Sequence, residues 1–191
     1  KDFYGFKFLA DSTNGKHDYY DDLGNTLRRQ FLKMPVQFSR ISSRYNLSRR
    51  IAFYGNKIRP HKGTDYAAAV GTPIMSTANG TVIESQYKGG NGNYVKVRHN
   101  STYTTQYLHM SKRAVRVGQV VKQGDVIGYI GMTGNTSGPH VCYRFWKNGV
   151  QVDPLKEKLP VSEPLNSKVK PIYLNFIEPL KVKFESIEYP E

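Results

Sequence analysis

The sequence predicts an all-β or β-rich domain with some α+β character. Short apolar runs alternate with turn signals along most of the 191 residues, as in strands joined by tight turns. The 17 glycines and 14 tyrosines fit this pattern, because glycine supplies turn conformations and aromatic residues favour strands. The length allows one sizeable core with a small appendage.

Residues 1–37 predict a small N-terminal β segment, the end of a preceding domain or a linker. An aromatic-rich strand is expected from Phe3 to Leu9, and Asn14-Gly15 is a hairpin turn signal. The return strand is expected over residues 17–20, followed by a third strand or a short helix over 26–32.

Residues 38–158 carry the longest succession of strand patterns and predict the main domain. Alternation is clearest from Tyr94 to His99, and Asn148-Gly149 signals a hairpin near the end. The other expected strands cover residues 74–78, 80–86, 103–109 and 126–130, with a flexible glycine-rich loop over 88–93.

Residues 159–191 predict a C-terminal packing tail. Their apolar side chains recur at helical spacing, although Pro179 would kink a helix. Val182 and Phe184 also allow a strand.

The charge balance points to an acidic partner or a solvated basic surface. The formal net charge is +13, which suits nucleic acid, an anionic membrane or an acidic cell-wall polymer. No RNP, helix-turn-helix or zinc-finger pattern is present, so we expect no nucleic-acid partner. No apolar run reaches the length of a membrane span. Because the first residue is Lys1, we expect a processed or trimmed piece.

Two short stretches contain all three types of side-chain donor that zinc accepts. The stretch from Arg59 to Tyr66 places His61 and Asp65 four residues apart. Residues four apart on a regular strand are separated by roughly 13 Å, too far for one ion. We therefore expect the backbone to bend between them, at Gly63.

The second stretch places His140 and Cys142 two residues apart. Val141 and the aromatic residues that follow favour a strand, on which these two side chains would point to the same face. Cys142 is the only cysteine, which excludes an intrachain disulfide. It could be a small buried hydrophobic residue, but its position beside His140 favours a metal ligand.

Two further histidines fall on neighbouring predicted strands. His99 abuts a turn and is interpreted as structural, whereas His109 joins the candidate chemical set. Three protein ligands with one open position make a catalytic zinc site, and nearby histidines can handle a proton or stabilise an oxyanion. The complete candidate set is His61, Asp65, His109, His140 and Cys142.

Three ordered motifs in residues 38–158 carry a family resemblance. They are Arg-Pro-His-Lys-Gly-Thr-Asp-Tyr at 59–66, Tyr-Leu-His-Met at 107–110 and Thr-Gly-Asn-Thr-Ser-Gly-Pro-His-Val-Cys at 133–142. The region resembles the lysostaphin/LytM-type zinc endopeptidases of bacterial cell walls. That resemblance implies an antiparallel β-sheet with a groove floored by one zinc ion.

The resemblance also implies individual roles. His61 and Asp65 become zinc ligands, and His109 and His140 become the catalytic pair. The third ligand of the family is the second histidine of a His-x-His motif, and here that position is Cys142. A thiolate binds zinc well but adds negative charge, so we expect a weaker Lewis acid.

The implied function is hydrolysis of amide bonds in the peptide stems or cross-links of peptidoglycan. Peptidoglycan peptides are then the expected partner, the periplasm or cell envelope the expected location, and a regulatory envelope partner is left open. One alternative is a weak or inactive LytM-like module that binds cell wall or activates another hydrolase. Another is a biotinyl/lipoyl-type carrier domain, suggested by residues 117–125, which lack a suitably placed modification lysine.

Overall fold

The computed structural model describes residues 4–11, 16–27, 29–50, 55, 57–160 and 164–187. The chain divides into two compact units, one of residues 31–158 and one that combines residues 1–30 with 159–191. The division into segments 1–37, 38–158 and 159–191 stays a prediction. No helix of the described residues is both long and apolar enough to cross a membrane.

The smaller unit pairs two strands and contains a helix. Strand β1 (Phe6–Asp11) runs antiparallel to β2 (Lys16–Tyr20), as the sequence predicts, and the expected turn at Asn14-Gly15 lies outside the described residues. The strand or helix expected over 26–32 is wrong for the part that is described. Thr26 forms an isolated bridge with Tyr20 and is not part of a strand or a helix. The preceding residues form a tight turn, in which the Asp21 carboxylate accepts from backbone N–H groups that include that of Asn25.

The C-terminal tail is a helix, and the strand alternative is wrong. Helix α1 (Lys170–Glu185) contains Pro179 without ending there. Tyr173 and Ile177 are its buried residues, and they join a cluster with Phe6, Tyr20 and Leu165. Burial of one apolar face stabilises the helix despite the hydrogen bond that proline cannot donate.

The larger unit is built on an antiparallel sheet, which confirms the predicted fold class. Its main strand order is β3-β4-β11-β8-β7-β6-β9, with β12 on β11 and with β10 joining β8 to β5. The strands are β3 (Arg40–Ser43), β4 (Thr64–Ala67), β5 (Pro73–Met75), β6 (Gly80–Lys88), β7 (Gly92–Arg98), β8 (Tyr103–Arg113), β9 (Val120–Val121), β10 (Val126–Ile130), β11 (His140–Lys147) and β12 (Val150–Val152).

Two turns of this sheet bear on the sequence predictions. Asn148-Gly149 joins β11 to β12, with φ of 50° and 77° at the two residues, as the hairpin signal predicts. The expected loop over 88–93 is shorter than predicted, because β6 continues to Lys88 and a single 3₁₀ turn (Gly89–Asn91) leads directly into β7.

The two faces of β11 separate the core from the candidate site. Val141, Tyr143 and Phe145 are buried on one face. His140 and Cys142 share the other, because successive side chains on a strand alternate. The core is therefore what fixes the direction in which the candidate ligands point.

Strand β8 changes partner at His109. Up to Leu108 it pairs with β11, and from Met110 it pairs with β10. The register with β7 shifts between Asn93 and Val95 at the same level, and His109 adopts a φ of 64°. This β-bulge sets the direction of the His109 side chain.

Candidate metal centre

The structure brings three of the predicted site residues together where β4 and β11 lie side by side. Asp65 on β4 is opposite Cys142 on β11. His61 Nε2 lies 3.0 Å from Asp65 Oδ1 and 3.6 Å from Cys142 Sγ. One ligand atom from each residue lies within 4.8 Å of the other two, so a single ion could contact all three.

The bend that joins His61 to Asp65 occurs at Gly63, as predicted, but the structure adds a second reason for glycine. A Cβ atom at this position would lie 2.7 Å from Cys142 Sγ and 3.1 Å from Arg144 Cγ. Its φ is not in the left-handed region. Glycine is therefore required here for space beside β11.

The hydrogen bonds of His61 define its tautomer. Nδ1 lies 3.0 Å from the Arg44 carbonyl oxygen, and because a carbonyl can only accept, Nδ1 carries the hydrogen. In the neutral ring Nε2 then presents a lone pair. That lone pair faces Asp65 and Cys142.

Asp65 adds a carboxylate to the imidazole of His61 and the sulfur of Cys142. Its Oδ1 is buried without a hydrogen-bond partner among the described residues. Burial favours the neutral acid, but hydrogen bonding and charge from the neighbouring histidines outweigh it and lower the pKa of Asp65. If His61 is neutral, its Nε2 lone pair and this ionised oxygen lie 3.0 Å apart, an arrangement that a cation between them stabilises. The residues therefore fit a metal ion.

Cys142 is buried, and in the metal-free protein burial raises the pKa of its thiol to about 12. A coordinated cation acts in the opposite sense, since it deprotonates a ligating thiol outright. The buried sulfur also packs with Tyr94 and Leu108. The structure is thus compatible with both interpretations of Cys142, a small buried hydrophobic residue and a metal ligand.

His140 lies at the edge of the three-residue cluster. Its Nδ1 is 2.9 Å from the Gly138 carbonyl oxygen and 3.0 Å from Thr136 Oγ1. The carbonyl again places the hydrogen on Nδ1, so Nε2 is free to accept a proton. Nε2 lies 3.6 Å from Asp65 Oδ1.

His109 faces His140 across the site, with the ring centroids 4.8 Å apart. Its Nδ1 donates to the Thr133 carbonyl oxygen at 2.8 Å. Burial lowers the pKa of His109, and the charge of Arg144 acts in the same direction. Each ring thus uses Nδ1 for a backbone carbonyl, and in its neutral form each carries its lone pair on Nε2.

Sequence reasoning missed the groups that orient these rings. The histidine rings contact the backbone carbonyls of Arg44, Thr133 and Gly138. Because every residue has a backbone carbonyl, the sequence does not indicate which ones make these contacts. Arg144 was also missed, although it lies on the same strand face as Cys142 by simple alternation. His99 is structural as interpreted, because its nitrogens contact the Asn79 carbonyl and Thr105 Oγ1 at 2.8 Å each.

The His/Asp/Cys cluster lies on an antiparallel sheet with two histidines beside it. This arrangement is typical of a metallopeptidase site. The sequence profile described as peptidase family M23 matches residues 59–154, which contain every predicted site residue. The chain belongs to peptidase family M23.

Similar proteins agree with this assignment. The chain is 41% identical over 184 residues to peptidoglycan DD-endopeptidase ShyC of Vibrio cholerae, covering 96% of this chain and 42% of that protein. The chain therefore spans less than half the length of this relative.

Solved structures show the same fold. A zinc-containing peptidase from Vibrio cholerae is 37% identical with a TM-score of 0.66, covering 82% of this chain and 47% of the other. The catalytic domain of lysostaphin from Staphylococcus simulans is 28% identical with a TM-score of 0.55, covering 61% of this chain and 90% of that domain.

Proposed function

We propose that residues 38–158 are a zinc-dependent endopeptidase domain that hydrolyses amide bonds in peptidoglycan peptides. One zinc ion per chain is bound by His61, Asp65 and Cys142. The observation that carries the proposal is the convergence of His61 Nε2, Asp65 Oδ1 and Cys142 Sγ, with Nε2 lying 3.0 Å from the carboxylate oxygen and 3.6 Å from the sulfur. One divalent cation can coordinate all three donors at once.

The donor types select the ion. Imidazole, carboxylate and thiolate together suit zinc better than magnesium or calcium, which prefer oxygen ligands. When bound, zinc supplies a Lewis acid that polarises a carbonyl and acidifies water.

His109 and His140 supply the proton-handling groups. Each ring donates its Nδ1–H to a backbone carbonyl, and the centroids of the two rings lie 4.8 Å apart. A neutral imidazole can accept a proton from water, and its protonated form can stabilise an oxyanion or donate to the leaving amine. The lowered pKa of His109 keeps that ring neutral near pH 7.

Sequence similarity to a relative and the net charge of the chain support the substrate class. A relative 41% identical over 184 residues is named a peptidoglycan DD-endopeptidase, and we assign the same class of cross-linked peptide to this chain. A net charge of +13 favours binding to an acidic polymer. Action on this substrate places the protein in the periplasm or cell envelope, where a regulatory partner could act on it.

The test combines metal analysis with digestion of purified sacculi. We expect one zinc per chain and the loss of cross-linked muropeptides, read by mass spectrometry, with both abolished by a chelator. Cys142→Ser should lower zinc content and digestion together. His109→Asn should keep the zinc and lose digestion.

A zinc-loaded chain that releases no product from any muropeptide would contradict the peptidase assignment. Cys142 is the observation that favours the second candidate, a weak or inactive module that binds cell wall or activates another hydrolase. A thiolate makes the ion a weaker Lewis acid than an imidazole ligand would. In that case His109→Asn would leave wall binding and activation intact.

A further inference from the structure

Arg144 lies beside the sulfur of Cys142 on β11. Residues two apart on a strand share a face, and both side chains approach the same point. A Cβ atom on Gly63 would lie 2.7 Å from Cys142 Sγ and 3.1 Å from Arg144 Cγ.

The Nε atom of Arg144 is buried and has no hydrogen-bond partner among the described residues. A guanidinium is always charged, and it is costly to bury one of its N–H groups without an acceptor. Cys142, which borders the same space, belongs to the candidate ligand cluster. The position of Arg144 is therefore explained if the neighbouring sulfur binds a metal ion as a thiolate.

The charge balance of the proposed metal centre supports the same interpretation. Asp65 and Cys142 would each bring one negative charge to a divalent ion, leaving no net charge at the centre. A histidine at position 142 would leave one positive charge. The guanidinium of Arg144, two residues further along the same face of the strand, supplies one positive charge in its place.

We propose that Arg144 is a positioning residue of the metal centre, whose guanidinium offsets the charge of the Cys142 thiolate and orients the sulfur toward the ion. This inference rests on the ligand set of the proposed function. By drawing electron density from the sulfur, Arg144 preserves the Lewis acidity that a thiolate ligand reduces. Its charge also reaches His109, where it favours the neutral ring.

The test measures the metal centre without substrate. In the full chain, Arg144→Met removes the charge and keeps an unbranched stem. We expect the zinc dissociation constant, measured by competition with a chromophoric chelator, to rise about tenfold, as for other groups that orient metal ligands. In the cobalt-loaded form, the sulfur-to-cobalt charge-transfer band should move to longer wavelength because the thiolate becomes more electron-rich.

Two variants serve as controls. Arg144→Lys keeps the charge and should remain closer to the parent in both measurements. Arg98→Met removes an exposed arginine from β7 of the same sheet and should change neither. If Arg144→Met does not fold, Arg144→Gln carries the same expectation for the band and the dissociation constant.

The outcomes separate this inference from the proposed function. A parent protein that lacks a sulfur-to-cobalt band would overturn the ligand set itself. A parent band that stays in place in Arg144→Met or its substitute, with an unchanged zinc dissociation constant, would overturn only the role of Arg144.

Discussion

At the scale of single residues, the candidate site depends on one glycine as much as on its ligands. Gly63 lets the chain bend between His61 and Asp65, and it leaves room for the Cys142 sulfur. A side chain here would contact the backbone carbonyl of Tyr143 at 3.1 Å as well. The sulfur can move, but the strand backbone cannot move without disturbing the sheet.

We predict that Gly63→Ala weakens metal binding as well as the fold. The added methyl group displaces Cys142 Sγ from the other two donors. Zinc affinity should fall at least about tenfold, while the overpacking costs about 1–3 kcal/mol of unfolding free energy. Chelator competition and urea denaturation measure the two effects.

Gly149 is the matched control for Gly63→Ala. A Cβ atom there meets nothing within 4 Å, although its φ of 77° makes alanine strained. Gly149→Ala should therefore reduce stability and leave zinc affinity unchanged. Equal zinc affinity in Gly63→Ala and the parent would contradict the proposed role of this space.

At the scale of elements, β8 positions His109 by changing partners. The left-handed backbone at His109 costs energy for most residues, and asparagine tolerates it better than β-branched residues do. The bulge thus stores strain at the proposed catalytic residue. Alternation along the strand could not reveal this, because a bulge interrupts alternation.

We predict that His109→Asn and His109→Val differ in stability and not in activity. Both remove the imidazole and should abolish hydrolysis of sacculi. The unfolding free energy of His109→Val should be lower than that of His109→Asn by about 1–3 kcal/mol. Urea denaturation of the two variants provides the comparison, and equal stabilities would contradict the role assigned to the bulge.

The packing of helix α1 leads to a separate prediction about the stability of the smaller unit. Ile177 is 1% exposed and Ile172 is 62% exposed. Ile177→Ala should destabilise this unit by about 2–5 kcal/mol, whereas Ile172→Ala should cost less than about 1 kcal/mol. Amide hydrogen exchange over residues 170–185 measures both, and similar protection in the two variants would contradict the packing described.

At the scale of the larger unit, a buried chain of hydroxyl groups ties the sheet together. The Tyr107 hydroxyl contacts Thr77 and Thr105, and Thr77 also contacts the Tyr143 hydroxyl at 3.0 Å. His99 joins this chain through Thr105. Burial lowers the pKa of His99 to about 4.

We predict that His99 makes the protein sensitive to acid. The unfolded chain protonates His99 below about pH 6.5, whereas the folded protein does not until about pH 4. The contribution of His99 is therefore present above pH 6.5 and is lost as the pH falls to 4, up to about 3 kcal/mol. Urea denaturation of the metal-free protein across this window measures the slope.

His17 is the control for this pH dependence, because it is an exposed histidine on β2. His99→Gln should flatten the dependence between pH 6.5 and 4, and His17→Gln should leave it unchanged. An unaltered slope in His99→Gln would show that other groups set the acid sensitivity.

The sequence by itself determined the fold class and the residues that could bind metal. Alternation and turn signals are local, so the strands, the Asn148-Gly149 hairpin and the shared face of His140 and Cys142 could be predicted. The helical spacing of residues 170–185 was also visible, although Pro179 left a strand open until burial of Tyr173 and Ile177 was known.

Only the tertiary structure decided how these residues meet. The pairing of β4 with β11 places Asp65 opposite Cys142, and pairing between distant segments leaves no local pattern. The carbonyls that fix the histidine tautomers, the bulge at His109 and the space above Gly63 depend on backbone positions. Side-chain identity is encoded along the chain, but the direction in which a side chain points depends on what packs against it.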